Sequence, residues 1–248
     1  MSDDEKSEQN QSPAGSQPIF LLPGAVTALC GLMIAVHIAA SFMDAQGVNQ
    51  LILWFGFIPL RLSAFSTNAA DALPLLWTPV THAFLHGSWE HLILNVAWLA
   101  IFGTPVARRY GPMATVGLFL LTAIAGAAAF ALTAYLGVGG GVVLIGASGG
   151  VAGLTGAAVR FMFQPVLFGK APGSDEPIVL GRQLATFGEL WRNTRARSFT
   201  LIWIILNAAV PLIPVFVPGM DAAIAWQAHL GGFIAGMLLV PLFERRHD

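Results

Sequence analysis

Six runs of apolar residues, each approaching the length of a membrane-crossing helix, constrain the fold of this chain more than any other feature. A helix needs about 20 predominantly apolar residues to cross a hydrocarbon core of about 30 Å. Hydrophobic residues make up 56% of the chain and charged residues only 10%, whereas a soluble domain carries roughly a quarter charged residues. The pattern predicts an all-α integral membrane protein. The net charge of -1 argues against a nucleic-acid partner.

The apolar runs divide the chain into two regions. Residues 1–18 are polar, acidic and rich in Ser and Gln, which is typical of a disordered tail. Residues 19–248 are expected to form one membrane domain with six spans. The spans are placed at about residues 23–43, 90–107, 113–136, 148–163, 199–217 and 222–243. Residues 44–89 are expected to form an outer loop lying partly in the interface, because their apolar run is too short to span.

The basic residues support this topology. If the N-terminus is cytoplasmic, eleven of the twelve Lys and Arg residues fall on the inner side and only Arg61 falls on the outer side. This asymmetry is the positive-inside bias of membrane proteins. We therefore expect both termini to be cytoplasmic. No cleavable signal sequence is apparent, and this orientation favours a bacterial inner membrane.

Four polar side chains on three of the spans come out at nearly the same depth. A helix rises about 1.5 Å per residue, and Ser148 precedes Arg160 by twelve residues. Ser148 is therefore placed roughly 18 Å above the inner boundary. The same counting places Asn95, His229 and His91 at roughly 20, 22 and 26 Å. His91 and Asn95 are four residues apart, hence on one helix face.

Ser148 begins the fourth apolar run, which is short. The glycine-rich chain before it would have to dip into the membrane as irregular backbone. Such backbone is tolerated only where protein buries it or where water reaches it. The helix N-terminus would also favour a developing anion at this point. The sequence thus predicts that Ser148 lies at the floor of a water-filled cavity that opens to the outer side.

Two glycine patterns permit the fourth and sixth spans to approach closely. They are Gly149-x-x-x-Gly153 and Gly232-x-x-x-Gly236. Ser148 lies one residue before the first pattern, and His229 lies three residues before the second. If these two faces meet, the two side chains come within hydrogen-bond reach, so a serine nucleophile with a histidine base is one interpretation.

Other interpretations stay open at this point. Serines among small residues in membrane helices usually serve packing. Glycine-interrupted spans with polar groups at mid-depth also occur in transporters, although no acidic residue lies deep in any run. A haem or metal site could use His91 and His229. Two histidines without thiolate or carboxylate ligands make a poor metal site, so we expect no metal and no cofactor.

The residues of this polar layer resemble the rhomboid family of intramembrane serine proteases. Residues 86–95 (HGSWEHLILN) are similar to the family's H-x-x-x-x-H-x-x-x-N motif. Residues 146–149 (GASG) are similar to its G-x-S-G motif, and residues 228–232 (AHLGG) to its A-H-x-x-G motif. All three motifs stand in the order and the spans that the family has. The resemblance covers roughly residues 20–245.

The resemblance implies a six-helix bundle with a short fourth helix that starts below the outer surface. It also implies a catalytic dyad of Ser148 and His229. The oxyanion hole would be formed by His91, Asn95 and the backbone N–H of Ser148. Three further residues would support the site: His86, Gly146 and Gly149. The partners would be membrane lipid and transmembrane protein substrates; the oligomeric state stays open.

Two positions depart from the family pattern. The family's Trp-Arg pair in the first loop is Trp77-Thr78 here, and a position that is often aromatic, four residues after the serine, is Ala152. These departures leave open a catalytically inactive rhomboid-like protein that binds membrane-protein clients. No Asp or Glu lies at the depth of His229, so we expect packing alone to orient its imidazole.

Overall fold

The computed structural model describes residues 22–66, 68–138, 143–170, 173, 175–209 and 224–244. Helices hold 76% of the described residues, which confirms the expectation of a mostly helical protein. The predicted tail at residues 1–18 lies outside the described residues. The same holds for residues 210–217 of the predicted fifth span and for residues 222 and 223 of the sixth.

The described helices and strands follow one another along the chain. In order, they are α1 (Gly24–Ser41), α2 (Ala45–Phe55), α3 (Ala69–Ala72), α4 (Thr78–Thr81), α5 (Trp89–Tyr135), α6 (Ser148–Met162), β1 (Val166–Lys170), β2 (Pro177–Arg182), α7 (Phe187–Arg192), α8 (Thr194–Ala208) and α9 (Trp226–Leu239). Short 3-10 helices occupy Pro59–Ser66, Leu73–Leu76, His82–Phe84 and Val240–Phe243.

Three helical stretches of the described residues are long and apolar enough to cross a membrane by length and composition. They are α1, α5 and Trp226–Phe243, which joins α9 to its 3-10 extension. With 47 residues, α5 is about 70 Å long, more than twice the thickness of a hydrocarbon core. Its backbone leaves helical geometry at Gly111, where φ is 82°, a conformation that favours glycine. The predicted second and third spans lie on either side of this kink.

Helix α6 lies at the centre of the packing. Residues 149–161 of this helix are all buried. A Cβ added to Gly232 of α9 would lie 2.0 Å from the carbonyl oxygen of Gly149, and one added to Gly236 would lie 1.8 Å from that of Gly153. The two helices therefore touch backbone to backbone, at the two glycine patterns that the sequence indicated could permit close approach.

The connection after α6 contains a β-hairpin that the sequence did not predict. Strands β1 and β2 pair antiparallel, with Val166 opposite Arg182 and Lys170 opposite Pro177. A capping box between Thr186 and Glu189 then begins α7. The expectation of an all-α fold therefore misses this hairpin, because a short apolar run gives no helical or strand periodicity of its own.

Gly236→Ala should destabilise the protein by about 3 kcal/mol, because the added methyl group would collide with the backbone of α6. The measurement is the unfolding free energy in mixed micelles titrated with SDS and followed by circular dichroism. Gly31→Ala on α1 is the matched control, since nothing lies within 4 Å of the added Cβ there. The control should be neutral or slightly stabilising, because alanine has the higher helix propensity. Equal stability of the two variants would contradict the backbone contact.

Candidate active site

The described chain leading into α6 is irregular, and three of its backbone groups are hydrogen-bonded to the loop before α5. The N–H of Phe57 donates to the carbonyl of Leu144 at 3.0 Å, and the N–H of Leu144 donates back at 2.8 Å. The N–H of Gly146 donates to the carbonyl of His82 at 2.9 Å. Because buried backbone groups need such partners, these bonds fix the position at which α6 begins, and hence that of Ser148.

Gly146 brings His91 against the chain that carries Ser148. The φ angle of Gly146 is 113°, which favours glycine. A Cβ at this position would also lie 2.6 Å from both Cε1 and Nε2 of the His91 ring. The imidazole of His91 therefore packs on bare backbone, two residues before Ser148. This contact gives a physical reason for glycine at position 146.

One cavity of about 820 Å³ brings four of the predicted site residues together. Ser148 from α6, His91 and Asn95 from α5, and His229 from α9 all line it. Since Ser148 begins α6, the N–H groups of that first turn have no partner within the helix. The positive end of the helix dipole therefore lies at the cavity.

Two predicted supporting residues lie behind the cavity wall. The ring centroids of His86 and His91 are 5.0 Å apart, in an edge-on arrangement. Burial, as the larger cause, and electrostatic repulsion from the nearby His91, as the smaller one, lower the pKa of His86 to about 4. This ring is therefore neutral near pH 7. A Cβ on Gly149 would lie 3.5 Å from the carbonyl oxygen of Ala228, the residue before His229. His86 therefore contacts His91, and Gly149 packs against the residue that precedes His229.

Helix α8 supplies a cavity residue that sequence reasoning missed. The Oδ1 atom of Asn207 lies 2.8 Å from Nδ1 of His229, and Asn207 also lines the cavity. The expectation that packing alone orients the His229 imidazole is therefore wrong, because a side-chain amide is hydrogen-bonded to the ring. A signal was present in the sequence: an amide inside a predicted span needs a polar partner.

The two departures from the family pattern have distinct surroundings. Ala152 is buried and lines the same cavity as His229. Thr78 is fully buried, and its hydroxyl has no hydrogen-bond partner among the described residues. Next to it, the indole N–H of Trp77 donates to the carbonyl of Trp54 at 2.7 Å. This hydrogen bond of Trp77 therefore links two parts of the first loop.

Together these features define an integral membrane protein whose helices enclose a cavity lined by serine, histidine and asparagine side chains. The sequence model of the Rhomboid domain matches residues 74–246, which is more than half of the chain. The chain belongs to the rhomboid family.

Curated relatives carry rhomboid names. RHOMBOID-like protein 5 of Arabidopsis thaliana is 29% identical over 164 residues, which cover 66% of this chain and 42% of that relative. Rhomboid protease GlpG of Serratia proteamaculans is 26% identical over 223 residues, or 90% of this chain and 62% of the relative. Rhomboid-like protease 5 of Toxoplasma gondii is 26% identical over 179 residues, or 71% and 17%. The chain thus spans less than two thirds of the length of each of these relatives.

Acid should destabilise the protein through His82, which lies in the loop before α5. The ring is 1% exposed and lies 2.9 Å from the carbonyl of Thr78, and burial lowers its pKa from the ordinary 6.5 to about 4. At pH values between about 4 and 6.5, His82 binds a proton in the unfolded chain but not in the folded chain. The histidine therefore costs no stability above about pH 6.5, and about 3 kcal/mol is lost as the pH falls to about 4.

The measurement for His82 compares the unfolding free energy at about pH 7 and about pH 4.5 for the wild type and His82→Gln. The variant should be less stable near pH 7, since it loses the fitted ring, but it should lose less stability on acidification. An equal loss on acidification in both proteins would contradict a neutral, buried His82.

Proposed function

We propose that this protein is an intramembrane serine endopeptidase that hydrolyses peptide bonds in or near transmembrane segments of other membrane proteins. Ser148 is the nucleophile and His229 is the base. The observation that carries the proposal is the cavity shared by these two residues with His91 and Asn95. Membership of the rhomboid family, with relatives that are named proteases, supports it.

The proposed membrane arrangement has six spans within residues 19–248. The described parts of these spans are α1, the two halves of α5, α6, α8, and α9 with its extension. The 15 residues of α6 cover about 22 Å, less than a hydrocarbon core of about 30 Å, so α6 begins below the outer surface. The basic residues favour cytoplasmic termini. The cavity then opens to the outer side of a bacterial inner membrane.

The first half of the reaction forms an acyl-enzyme. The Oγ of Ser148 attacks the carbonyl carbon of the scissile peptide bond, and Nε2 of His229 takes the hydroxyl proton. The tetrahedral intermediate collapses by breaking the carbon–nitrogen bond. His229 returns the proton to the leaving amine, and an ester on Ser148 remains.

The second half of the reaction consumes one water molecule. His229 takes a proton from the water as its oxygen attacks the ester carbonyl. The second tetrahedral intermediate breaks its bond to Oγ, and His229 gives the proton back to Ser148. A carboxylic acid product leaves and the enzyme is restored, so the cycle uses no cofactor.

The oxyanion formed in each half needs hydrogen-bond donors. One N–H of the Asn95 amide donates to the carbonyl of His91 at 2.9 Å, and an amide nitrogen carries two N–H groups. The second N–H, the His91 ring and the backbone N–H of Ser148 are the proposed donors. Each donor stabilises charge that develops only in the transition state.

A second candidate function is a catalytically inactive rhomboid-like protein that binds membrane-protein clients. Thr78 and Ala152, the two departures from the family pattern, favour this alternative. Both candidates require the cavity and the membrane domain. Only the protease requires a reactive Ser148, so labelling by a serine-directed fluorophosphonate separates the two.

Ser148→Ala and His229→Ala should each reduce cleavage of a transmembrane model substrate by about 10⁴-fold or more, because the dyad acts as a unit. Cleavage is measured in proteoliposomes by gel and mass spectrometry. The fluorophosphonate should label the wild type at Ser148 and leave Ser148→Ala unlabelled. Cleavage by Ser148→Ala at the wild-type rate would end the protease proposal.

Asn95→Ala should lower kcat by about 10² to 10³-fold without eliminating turnover, because it removes one oxyanion donor of three. The substrate KM should change little, since the lost bond forms mainly in the transition state. Steady-state cleavage kinetics in detergent micelles separate the two constants. A wild-type kcat in this variant would remove Asn95 from the oxyanion hole.

A further inference from the structure

Two of the contacts between helices α8 and α9 are one helical turn apart on each helix. Trp203 of α8 stacks on Phe233 of α9, with ring centroids 4.2 Å apart and an interplanar angle of 16°. Four residues along each helix, Asn207 lies 2.8 Å from His229. Residues four apart share a helix face, so the apolar stack holds the amide at the imidazole.

The orientation of the Asn207 amide is set by its own helix. Its Nδ2 donates to the carbonyl of Trp203 at 2.8 Å. A carbonyl oxygen only accepts hydrogen bonds, so the amide nitrogen must face Trp203 and the amide oxygen must face His229. That oxygen is also only an acceptor. The bond to His229 therefore requires a proton on Nδ1 of the imidazole.

A neutral imidazole carries one proton, so a proton on Nδ1 leaves Nε2 with a free lone pair. A base acting on Ser148 needs that lone pair on the side of the ring away from Asn207. We propose that Asn207 is a positioning residue that holds His229 in its reactive tautomer and orientation, in place of the acid of a serine protease triad. This inference rests on the proposed function and extends the site to α8.

The other side chains around His229 are consistent with a positioning role for Asn207. Ala152, on the wall of the same cavity, offers no aromatic face for the imidazole to stack on. His91 of α5 is a further titratable group on the wall of this cavity. Asn207 is uncharged, so it orients the ring without the bias towards the protonated form that a carboxylate at the same place would add.

Three variants of Asn207 and α8 test the inference in the full-length protein. Asn207→Leu removes the acceptor at similar volume. Asn207→Asp keeps an acceptor of the same shape and adds a charge. Leu206→Ala is the matched control, since Leu206 is 65% exposed on the same helix. Cleavage kinetics of a transmembrane model substrate are measured across pH for all three and for the wild type.

Asn207→Leu should lower kcat by roughly tenfold to hundredfold at little change in KM, because the misoriented base affects the chemical step. Asn207→Asp should retain most of the wild-type rate. The acid limb of its kcat/KM profile should shift to higher pH by about one unit, because a carboxylate beside the imidazole favours the protonated ring. The control should match the wild type. Wild-type kcat in Asn207→Leu, or an unmoved acid limb in Asn207→Asp, would overturn the positioning role in favour of packing.

A second readout does not depend on catalysis. In ¹⁵N-histidine NMR spectra, with the His229 signals assigned by their loss in His229→Ala, the wild type should show a proton on Nδ1 and none on Nε2 near neutral pH. Asn207→Leu should lose this tautomer preference. The opposite tautomer in the wild type, or an unchanged preference in Asn207→Leu, would overturn the inference. A wild type that shows the expected tautomer but is not labelled by the fluorophosphonate would instead refute the proposed protease while supporting the Asn207 bond.

Discussion

The absence of side chains where α6 meets α9 is the constraint on which the rest of the structure depends. Gly149 and Gly153 of α6 face Gly232 and Gly236 of α9 so closely that a Cβ on the α9 glycines would collide with α6 carbonyl oxygens. Lipid supplies no hydrophobic drive for helices to associate, so close packing has to hold them together. The same contact brings the chain of His229 alongside the first turn of α6.

The site is assembled from positions that differ in rigidity. Ser148 begins a helix that is buried along residues 149–161, and the irregular chain before it is bonded to the first loop. His91 is held between Gly146 and His86. His229 is hydrogen-bonded to Asn207 of α8, a helix whose buried residues are Ala196 and Trp203 in its described part. The proposed nucleophile thus has the firmer support, and the proposed base depends on a less buried helix.

Much of this arrangement could be predicted from the sequence because membrane proteins obey few and strong rules. Apolar length located α1, α5 and α9 with its extension, the described stretches that are long and apolar enough to cross a membrane. Glycine spacing indicated where α6 and α9 could approach closely, and they do so there. Depth counting grouped Ser148, His91, Asn95 and His229, and all four line one cavity.

Other features could not be predicted because tertiary contacts decide them. Asn207 bonds to a residue 22 positions away, and the rotation of α8 that allows it depends on Trp203 stacking on Phe233. The hairpin of β1 and β2 has no periodic signal in the sequence. Polar residues inside apolar runs were the informative signal. The role of Asn207 could not be inferred without knowing that α9 packs against α8.

The most direct test of the account is a crystal structure of the protein after reaction with a fluorophosphonate. The account predicts that Oγ of Ser148 has displaced fluoride and is bonded to phosphorus, with the phosphoryl oxygen within hydrogen-bond distance, about 3 Å, of donors from His91 or Asn95. The His229 ring should lie beside the adduct and remain bonded to Asn207. An unmodified Ser148, or an adduct whose oxygen faces away from both donors with His229 on the far side of another helix, would contradict it.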